Sequence, residues 1–530
     1  IWQEILGKDR ISVKDNFFNI GGHSLRATRL VSQIHKIFEA KVDLKDVFIN
    51  AILEEQAVLI TKAQKETYAA ISALDAQPDY SLSSAQRRLW ILSQLQDSNI
   101  AYNIPGAYTL EGALDLDALQ RAFRHLIKRH EILRTVFRQS EQGEPRQIIL
   151  PAESAAAAFQ VTCEDLRQVS EQQNRLQKLV QQDMQHAFDL STGSLLHTAL
   201  YQIQDDRWVL TYVMHHICSD GWSMGIFIRE LLQLYNAYIH GEQVPLQPLP
   251  IQYKDYAAWQ QQQLSGESLQ LHRSYWLKQF EGNVPVLELP LDNNRPPVKS
   301  FRGYSVSRWI DNHTIQQLKA CCHQQDATLF MGLLATVTIL LQRYTGQHDI
   351  VTGTVIAGRQ HADLEDQIGC YLNTLALRLK PEQERSFNEL LQQARQVTLG
   401  AYEHQVYPFD QLVEELQLQH DINRNPVFDV SIVLQNADAR YDQQLQELEG
   451  LKISPYAEQR YTVSKFDLSF DFTEVTGGMQ ATFVYNTDIY TEQTISRMAD
   501  HLLRLMEALI AQPLTPLKQL NYLSEEEQHQ

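Results

Sequence analysis

The chain has 530 residues, a hydrophobic share of 44% and a formal net charge of -18. Its length predicts about three to four compact units, and its hydrophobic share is ordinary for globular proteins. The negative charge argues against nucleic acid or an anionic membrane as the main partner. The longest apolar run, Phe330 to Leu341, is shorter than the ~20 residues of a membrane span, so we expect a buried helix there.

The chain opens inside a helical pattern, without Met and without a signal peptide, so we expect a segment of a longer protein. Its five cysteines are an odd number without framework spacing, which is typical of the reducing cytoplasm. Cys321, Cys322 and His323 lack the spacing of zinc ligands, so no metal site is predicted. Cys218 has no evident activating partner, so a thiol nucleophile is not expected.

Residues 1–62 are predicted to form a small helical unit. Apolar residues recur at helical spacing at Leu30, Ile34, Ile37 and Phe38. Two glycines before them end an extended segment and place Ser24 at the N-terminus of the helix. In one interpretation Ser24 only caps this helix. In the other it carries a phosphodiester, whose charge the helix dipole and the free N–H groups stabilise.

The segment DNFFNIGGHSL, Asp15 to Leu25, resembles the signature of peptidyl carrier domains of nonribosomal peptide synthetases. The motif is long and its context is helical, which makes the resemblance specific. It implies a small four-helix carrier domain over residues 1–62, in which Ser24 carries covalent 4′-phosphopantetheine. A polar stretch without a strong pattern follows, and residues 63–80 are predicted to be a linker.

Helical and strand patterns alternate beyond residue 80. A helix is predicted from Leu119 to His130, and the exit segment Arg129 to Phe137 turns into a β-branched strand. A further helix is expected from Phe227 to Tyr238. This alternation favours α/β layers over a sandwich or a helical bundle.

Two adjacent histidines follow the apolar strand pattern Trp208 to Met214. Side chains alternate along a strand, so His215 and His216 are expected to face opposite sides. One imidazole then enters a cleft as a base or hydrogen-bond partner, while the other packs or is held by a neighbour. Asp220 and Gly221 suit a tight loop that fixes this geometry. On spacing alone, a structural role is the more common one for such a pair.

Seven segments resemble, in order, the motifs of condensation domains of nonribosomal peptide synthetases, which are related in fold to chloramphenicol acetyltransferase. The resemblance covers residues 81 to about 525 and implies two acetyltransferase-like α/β lobes in a V, at 81–247 and 248–525, with a tunnel between them. Residues 526–530 are expected to begin a linker to an adenylation domain. The segments are SSAQRRLWIL (Ser83–Leu92), RHEILRTVF (Arg129–Phe137), MHHICSDGW (Met214–Trp222), YKDYAAWQ (Tyr253–Gln260), the stretch Gly353–Leu375 ending IGCYLNTL, YPFDQLVEEL (Tyr407–Leu416) and RNPVFDV (Arg424–Val430).

The resemblance implies peptide-bond formation. An aminoacyl or peptidyl thioester on the arm of Ser24 is the donor, and the α-amino group of an aminoacyl thioester on a downstream carrier attacks it. Holding two substrates in line supplies ~7–11 kcal/mol of barrier reduction, so no covalent enzyme intermediate is needed. The expected partners are the downstream carrier, adjacent adenylation domains and a phosphopantetheinyl transferase.

The resemblance also implies roles for the loop residues. His216 is expected at the centre, either as the base that takes a proton from the amine or as a group that orients the amine or stabilises the intermediate. His215 and Asp220 are expected to be structural supports. In the family this aspartate pairs with an arginine, for which Arg359 is the first candidate and Arg134 the second.

Two further residues are expected to act on the thioester oxygen. Gly221 would offer a backbone N–H, and Asn425 would polarise the oxygen from the other lobe. For Asn425 a turn role before Pro426 is an equal alternative.

Three related kinds of domain are alternatives to a condensation domain. An epimerisation domain shares the double histidine, but its carriers usually read GGDS, whereas this chain reads GGHS, and AYNIP (Ala101–Pro105) resembles domains that take an L-configured donor. A heterocyclising domain would have aspartates in place of the first histidines. A catalytically inactive recruitment module tends to lose the histidines that this chain keeps.

Overall fold

The structure, a computed structural model, describes residues 1–22, 24–94, 98–418, 421–435, 450–456 and 462–529. His23 of the carrier signature and Gln530 of the expected terminal linker lie outside the described residues. For Ser24 the structure describes the backbone but not the side chain.

In its described residues, the first unit has four helices, as predicted, and a small antiparallel sheet. On α2, Leu30 and Ile34 are buried, whereas 56% of Ile37 and 45% of Phe38 are exposed. The apolar stripe predicted from spacing therefore extends one turn beyond the residues that the core covers. The elements are α1 (Trp2–Leu6), α2 (Ser24–Phe38), β1 (Ala40–Lys41), α3 (Leu44–Ile49), α4 (Leu53–Lys62) and β2 (Gln64–Lys65), with β1 paired to β2.

The predicted linker contacts the rest of the chain along its length. Tyr68 contacts His361 Nδ1 through its hydroxyl at 2.9 Å. Further along, the Ile71 N–H donates to Asp363 Oδ2 at 3.2 Å, and the Leu74 N–H donates to Asp255 Oδ1 at 2.8 Å. These bonds fix where the linker runs after it leaves the first unit.

The N-terminal lobe is built on a five-stranded sheet and a three-stranded sheet, with helices packed against them. The helices predicted at 119–130 and 227–238 correspond to α7 and α10. Its elements are β3 (Tyr80–Ser81), α5 (Ser84–Ser93), α6 (Ser98–Ala101), β4 (Asn103–Gly112), α7 (Leu116–Arg129), β5 (Thr135–Gln139), β6 (Pro145–Ile149), α8 (Ala152–Ala158), β7 (Thr162–Asp165), α9 (Gln172–Met184), β8 (Leu196–Gln204), β9 (Arg207–His215) and α10 (Gly221–His240), with short 3-10 helices at Glu131–Arg134 and His216–Cys218.

The C-terminal lobe is built on a seven-stranded mixed sheet. Its elements are α11 (Tyr253–Gln263), α12 (Glu267–Gln279), β10 (Arg302–Asp311), α13 (Asn312–Gln324), α14 (Leu329–Thr345), β11 (Ile350–Ile356), β12 (Asn373–Leu379), α15 (Phe387–Glu403), α16 (Phe409–Leu416), β13 (Val430–Gln435), β14 (Leu451–Pro455), β15 (Thr462–Val463), β16 (Leu468–Val475), β17 (Gly478–Asn486), α17 (Glu492–Ala511) and α18 (Glu525–Gln528), with 3-10 helices at Ala362–Leu364 and Leu517–Gln519.

The strand order ties the two lobes together. The seven-stranded sheet has the order β12-β11-β13-β16-β17-β10-β15, and β13 is parallel to both of its neighbours. The five-stranded sheet has the order β14-β4-β9-β8-β7, so its edge strand β14 comes from the C-terminal half and pairs antiparallel with β4. The three-stranded sheet has the order β3-β6-β5. The prediction of α/β lobes is confirmed.

The buried clusters do not divide at residue 248, where the sequence predicts the lobe boundary. Ile251, Tyr253 and Tyr256 are buried in the core of the N-terminal lobe, together with the segment 364–371 and Leu451. The N-terminal lobe thus includes α11 and two excursions from the C-terminal half. The lobes do not follow the order of the chain, because β14 and the loop after β11 belong to the C-terminal half but pack in the N-terminal lobe.

The apolar run Phe330–Leu341 lies within α14 and is buried throughout, as predicted. Among the described residues, no single helix is long and apolar enough to cross a membrane. Taken as a pair, α13 and α14 reach that length and composition, but they are bent by 100° at the break between them.

Candidate active site

The strand β9 ends at His215, and the chain turns at once into a 3-10 helix. His215 is 1% exposed; its Nδ1 accepts the Ile217 N–H at 3.1 Å, and its ring meets Phe188 edge-on at 6.1 Å. Burial is the main cause that lowers its pKa to about 3. His215 therefore stays neutral and closes the turn that presents the next residue.

His216 points away from that packing and is partly exposed. Its backbone N–H donates to the Tyr102 carbonyl at 2.8 Å, and its Nδ1 lies 3.9 Å from Cys370 Sγ. Burial first, and then the positive charge of Lys465, lower its pKa to about 3. The imidazole is thus neutral at physiological pH and available as a hydrogen-bond acceptor.

Asp220 is fully buried and ends the segment 215–220, here called the histidine loop. Its Oδ1 caps α10 by accepting the Ser223 N–H at 2.7 Å, and its Oδ2 accepts the Tyr371 N–H at 3.0 Å. The guanidinium of Arg359 lies 3.4 Å from the same carboxylate. One carboxylate therefore fixes the start of α10 and the loop after β11 at the same time.

Arg359 is buried and bonded on several sides. It donates to Ser223 Oγ and to the Gln367 carbonyl, both at 2.7 Å, and to the Leu364 carbonyl. Its guanidinium also lies 4.0 Å from the centroid of the Tyr371 ring. This arginine occupies the place expected of the aspartate's partner.

Arg134, the second candidate for that place, lies elsewhere. Its guanidinium donates to the Leu150 carbonyl at 2.9 Å and lies 3.7 Å from Glu131. It therefore fastens the 3-10 helix before β5 and makes no described bond to Asp220.

Gly221 is the first residue of α10 and is exposed. A Cβ built on it would meet nothing within 4 Å, so a side chain at this position would stand in open space. Its position at a helix N-terminus leaves its N–H free of an intrahelical partner. The next side chain, Trp222, donates its indole N–H to the Glu365 carbonyl at 3.0 Å.

The opposite wall comes from the C-terminal lobe. Asn425 donates its side-chain amide to the Lys465 carbonyl at 3.3 Å, while its backbone N–H donates to Asp429 Oδ1 at 3.0 Å. The amide expected to meet the thioester is therefore bonded to the main chain of Lys465. The side chain of that lysine reaches the N-terminal lobe, 5.2 Å from the centroid of the Tyr102 ring.

The structure brings His215, His216, Asp220, Gly221 and Arg359 together. It adds two side chains to which the sequence motifs assign no role, Cys370 and Lys465. Cys370 is one letter of the motif that ends IGCYLNTL. Lys465 stands in no motif, and its one signal is a cation shortly before the apolar strand β16.

Thiol and metal chemistry were not expected here. All five cysteines are free, and burial raises the pKa of Cys218 far above its usual range, which disfavours a thiolate. Within the described part of the chain, no three His, Cys, Asp or Glu side chains are grouped to hold a metal ion.

The helical unit is bound to the loop that surrounds Arg359. From α2, Arg29 lies 2.6 Å from Glu365, and Gln33 donates to the same carboxylate at 2.6 Å. Lys36 lies 3.2 Å from Asp363. The segment 361–366, here called the docking loop, thus binds the helical unit through its side chains and binds Trp222 and Arg359 through its backbone carbonyls.

The N-terminus of α2 fits a covalently attached phosphate group. The helix is 15 residues long and begins at Ser24. Its first N–H groups lack intrahelical acceptors, and its dipole is positive at this end. Arg26 adds a cation in the first turn and bonds to the Gly21 carbonyl at 2.7 Å.

A small helical unit docked on a two-lobed α/β domain, with a double histidine at the junction, is the arrangement of carrier-dependent acyltransferases. Residues 76–530 match the family model "Condensation domain", and residues 1–55 match the model "Phosphopantetheine attachment site". The chain belongs to the condensation-domain family and carries a carrier domain before it. Domains of this family form amide bonds, and covalent 4′-phosphopantetheine on a serine, the predicted cofactor, is confirmed.

The curated relatives are components of nonribosomal peptide synthetases. The chain is 39% identical to gramicidin S synthase 2 of Aneurinibacillus migulanus over 528 residues, which is 100% of this chain and 11% of that protein. It is also 39% identical to tyrocidine synthase 3 of Brevibacillus parabrevis, over 99% of this chain and 8% of that protein. The chain therefore spans only a small part of the length of these relatives.

Solved structures share the fold. The X-domain from teicoplanin biosynthesis superposes with a TM-score of 0.78 at 26% identity, over 86% of this chain and 100% of that one. The first condensation domain of the CDA synthetase superposes with a TM-score of 0.68 at 21% identity, over 84% of this chain and 99% of that one.

Proposed function

We propose that this chain forms peptide bonds, with its own carrier domain as the donor and an aminoacyl thioester on a downstream carrier as the acceptor. The observation that carries the proposal is the binding of α2 to the docking loop. The same loop reaches Arg359 and Trp222 through its carbonyl groups, so the carrier is held next to the histidine loop. A donor carrier needs this placement.

Ser24 is the residue that we propose for attachment. The bound 4′-phosphopantetheine supplies a thiol that holds the acyl group as a thioester. The chain's own contribution is the N-terminus of α2, whose free N–H groups and dipole stabilise the phosphodiester. Loading then requires a phosphopantetheinyl transferase, and adenylation domains supply the amino acids.

In the transfer, the acceptor amine attacks the donor carbonyl, a C–N bond forms and the C–S bond breaks. The amine loses a proton and the departing sulfur takes one up. We propose that His216 accepts a hydrogen bond from the amine and aims its lone pair, since an imidazole with a pKa near 3 holds a proton poorly. His215, Asp220 and Arg359 hold the loop.

Gly221 and Asn425 have different proposed roles. The N–H of Gly221 stands in the first turn of α10, where it needs no intrahelical acceptor, and we propose that it donates to the carbonyl oxygen. Asn425 acts through Lys465, because its amide is bonded to the carbonyl of that residue. It is thus a positioning residue.

The test is a two-carrier assay followed by intact mass spectrometry. Ser24 is loaded with an L-aminoacyl group, an aminoacylated downstream carrier is added, and both masses are followed. We expect the downstream carrier to gain one acyl unit, and His216→Ala to slow this by about 10²-fold, the effect of a misplaced reactant. Deuterium uptake at the donor Cα without transfer would instead identify an epimerase, and neither event with loaded, folded protein would identify a recruitment module.

Docking is tested by charge reversal. Arg29→Glu places two carboxylates together and is expected to slow transfer by roughly tenfold, and adding Glu365→Arg is expected to restore most of the rate. Lys518→Glu is the matched control, because it breaks an exposed ion pair with Glu384 on the C-terminal lobe. Equal rates in Arg29→Glu and Lys518→Glu would remove the donor assignment.

A further inference from the structure

One lysine of the C-terminal lobe stands against the histidine loop. Lys465 follows β15 and precedes β16, and its ammonium lies 5.2 Å from the centroid of the Tyr102 ring in the N-terminal lobe. The carbonyl of Tyr102 accepts the backbone N–H of His216. Lys465 therefore crosses between the lobes and ends beside the residue that anchors His216.

The main chain of Lys465 is held firmly. Its carbonyl accepts from Lys299 Nζ at 2.7 Å and from the Asn425 amide at 3.3 Å. Both bonds are made to the backbone, so they fix where the side chain begins and do not engage its ammonium. The side chain is partly exposed although it lies deep between the lobes.

Among the described residues, the ammonium of Lys465 has no anion as its partner. Within the described residues, no ion pair and no hydrogen bond to a side chain or carbonyl engages it. Asp471 on β16 is close enough for the lysine to lower its pKa, but burial prevails and raises that pKa to about 6. Arg88, the second cation that acts on Lys465, helps burial lower the lysine's own pKa to about 8. An unpaired cation at such depth destabilises a fold, so a ligand is expected to use it.

The transfer needs a cation that the histidine loop does not supply. Both histidines are neutral, and Arg359 already donates to Asp220, Ser223 and two carbonyl groups. Negative charge develops on the donor carbonyl oxygen when the amine attacks. A preorganised donor aimed at such an oxygen in a water-poor site is worth much more than the same donor in water.

We propose that Lys465 is a further catalytic residue, whose ammonium contacts the carbonyl oxygen of the donor thioester and stabilises the negative charge that forms there. This inference rests on the acyl transfer proposed above. The lysine changes no bond itself: the C–N bond forms, the C–S bond breaks, and the ammonium keeps its three protons throughout.

The experiment compares three variants of the full chain in single-turnover transfer between loaded carriers. Lys465→Met removes the charge and keeps most of the volume. Lys465→Arg keeps a charge that can reach the same oxygen. Lys299→Met is the matched control, because it removes another buried lysine and loosens the Lys465 backbone while leaving its ammonium in place.

We expect Lys465→Met to lower the transfer rate by about 10²–10³-fold with little change in the KM for the downstream carrier. Lys465→Arg should remain within roughly tenfold of the parent, and Lys299→Met should lose far less than Lys465→Met. Thermal unfolding of Lys465→Met should occur no lower than that of the parent, because an unpaired buried charge is gone.

Three results would overturn the assignment. The first is a rate for Lys465→Met within threefold of the parent. The second is an equal loss in Lys299→Met, which would assign the effect to the backbone. The third is a loss confined to donors with an acidic side chain, which would make Lys465 a substrate-recognition residue. If the parent chain forms no amide, the proposed function fails; if only these comparisons fail, it stands.

The pH dependence gives a readout that a structural role would not move. The titratable and charged groups that interact with the ammonium are His215, His216, Cys370, Arg88 and Asp471. The parent rate divided by the Lys465→Arg rate should fall as the pH rises through about 8, because the ammonium discharges there and the guanidinium does not. A ratio that stays flat from pH 7 to 9.5 would count against the proposal.

Discussion

The two walls of the active site treat charge in opposite ways. On one wall, Asp220 and Arg359 are buried together, and their polar atoms are shared with Ser223, Tyr371 and backbone carbonyls. On the other, Lys465 is bonded through its backbone, and among the described residues its ammonium has a ring contact with Tyr102 but no ion pair or hydrogen bond. Asp220 and Arg359 have their polar atoms bonded within the protein, so their role is to hold the histidine loop. The ammonium of Lys465 lacks such described bonds, so it is available to a substrate.

The largest expected effect is on the wall formed by Asp220 and Arg359. Arg359→Ala leaves the Asp220 carboxylate buried with two N–H donors and no cation, so unfolding in urea should show a loss of ~3–5 kcal/mol. Transfer activity should fall with it because the histidine loop loosens. The double variant Asp220→Asn/Arg359→Met should recover much of the stability but little of the activity. A loss below about 1 kcal/mol for Arg359→Ala would mean that the pair does not support the loop.

Much of this wall could be predicted from the sequence. Strand periodicity predicted that the two histidines face different sides, although β9 ends at His215 and His216 begins a 3-10 helix. The histidine loop and α10 are local in sequence, so spacing constrains them, whereas Arg359, 139 residues from Asp220, was expected from the family resemblance alone. The helices α7, α10 and α14 were predictable for the same reason.

The other wall could not be predicted. Lys465 is placed by Asn425 and Lys299, which belong to different segments of the chain. Contacts of this kind depend on how two sheets and their connections pack, and no periodicity records them. The pairing of β14 with β4 of the N-terminal lobe also depends on packing between distant segments, so a lobe boundary drawn at residue 248 from the sequence does not include it.

The next prediction concerns the stability of the fold in acid. His215 supports the histidine loop as Asp220 and Arg359 do, but it does so as a buried neutral group. The pKa of His215 is about 3 in the folded chain, below the ordinary value of 6.5, so the unfolded chain binds the additional proton between these values. Stability is therefore full above pH 6.5 and is lost as the pH falls toward 3, by about 1.4 kcal/mol per pH unit for this group.

Urea unfolding between pH 8 and 5 checks this expectation. His215→Asn should reduce the acid slope, since an amide oxygen can accept the Ile217 N–H without titrating, and the slope that remains is due to His216, whose pKa is also about 3. His240→Asn, at the exposed end of α10, is the matched control and should leave the slope as it is. If both variants keep the parent slope, His215 is not the group whose protonation destabilises the fold.

The smallest expected effect is that of substituting Gly221, the first residue of α10. Gly221 has helical neighbours and open space where a Cβ would stand, so Gly221→Ala should change the free energy of unfolding by no more than ~1 kcal/mol. The methyl group would enter the space that the donor carbonyl needs if the backbone N–H of Gly221 binds its oxygen. We therefore expect a stable protein whose transfer rate is lower by roughly tenfold, with hydrogen bonding by Lys465 sustaining the remainder. An unchanged rate would mean that Lys465 alone binds the carbonyl oxygen of the donor thioester. A loss as large as that of Lys465→Met would mean that Gly221 and Lys465 contribute equally.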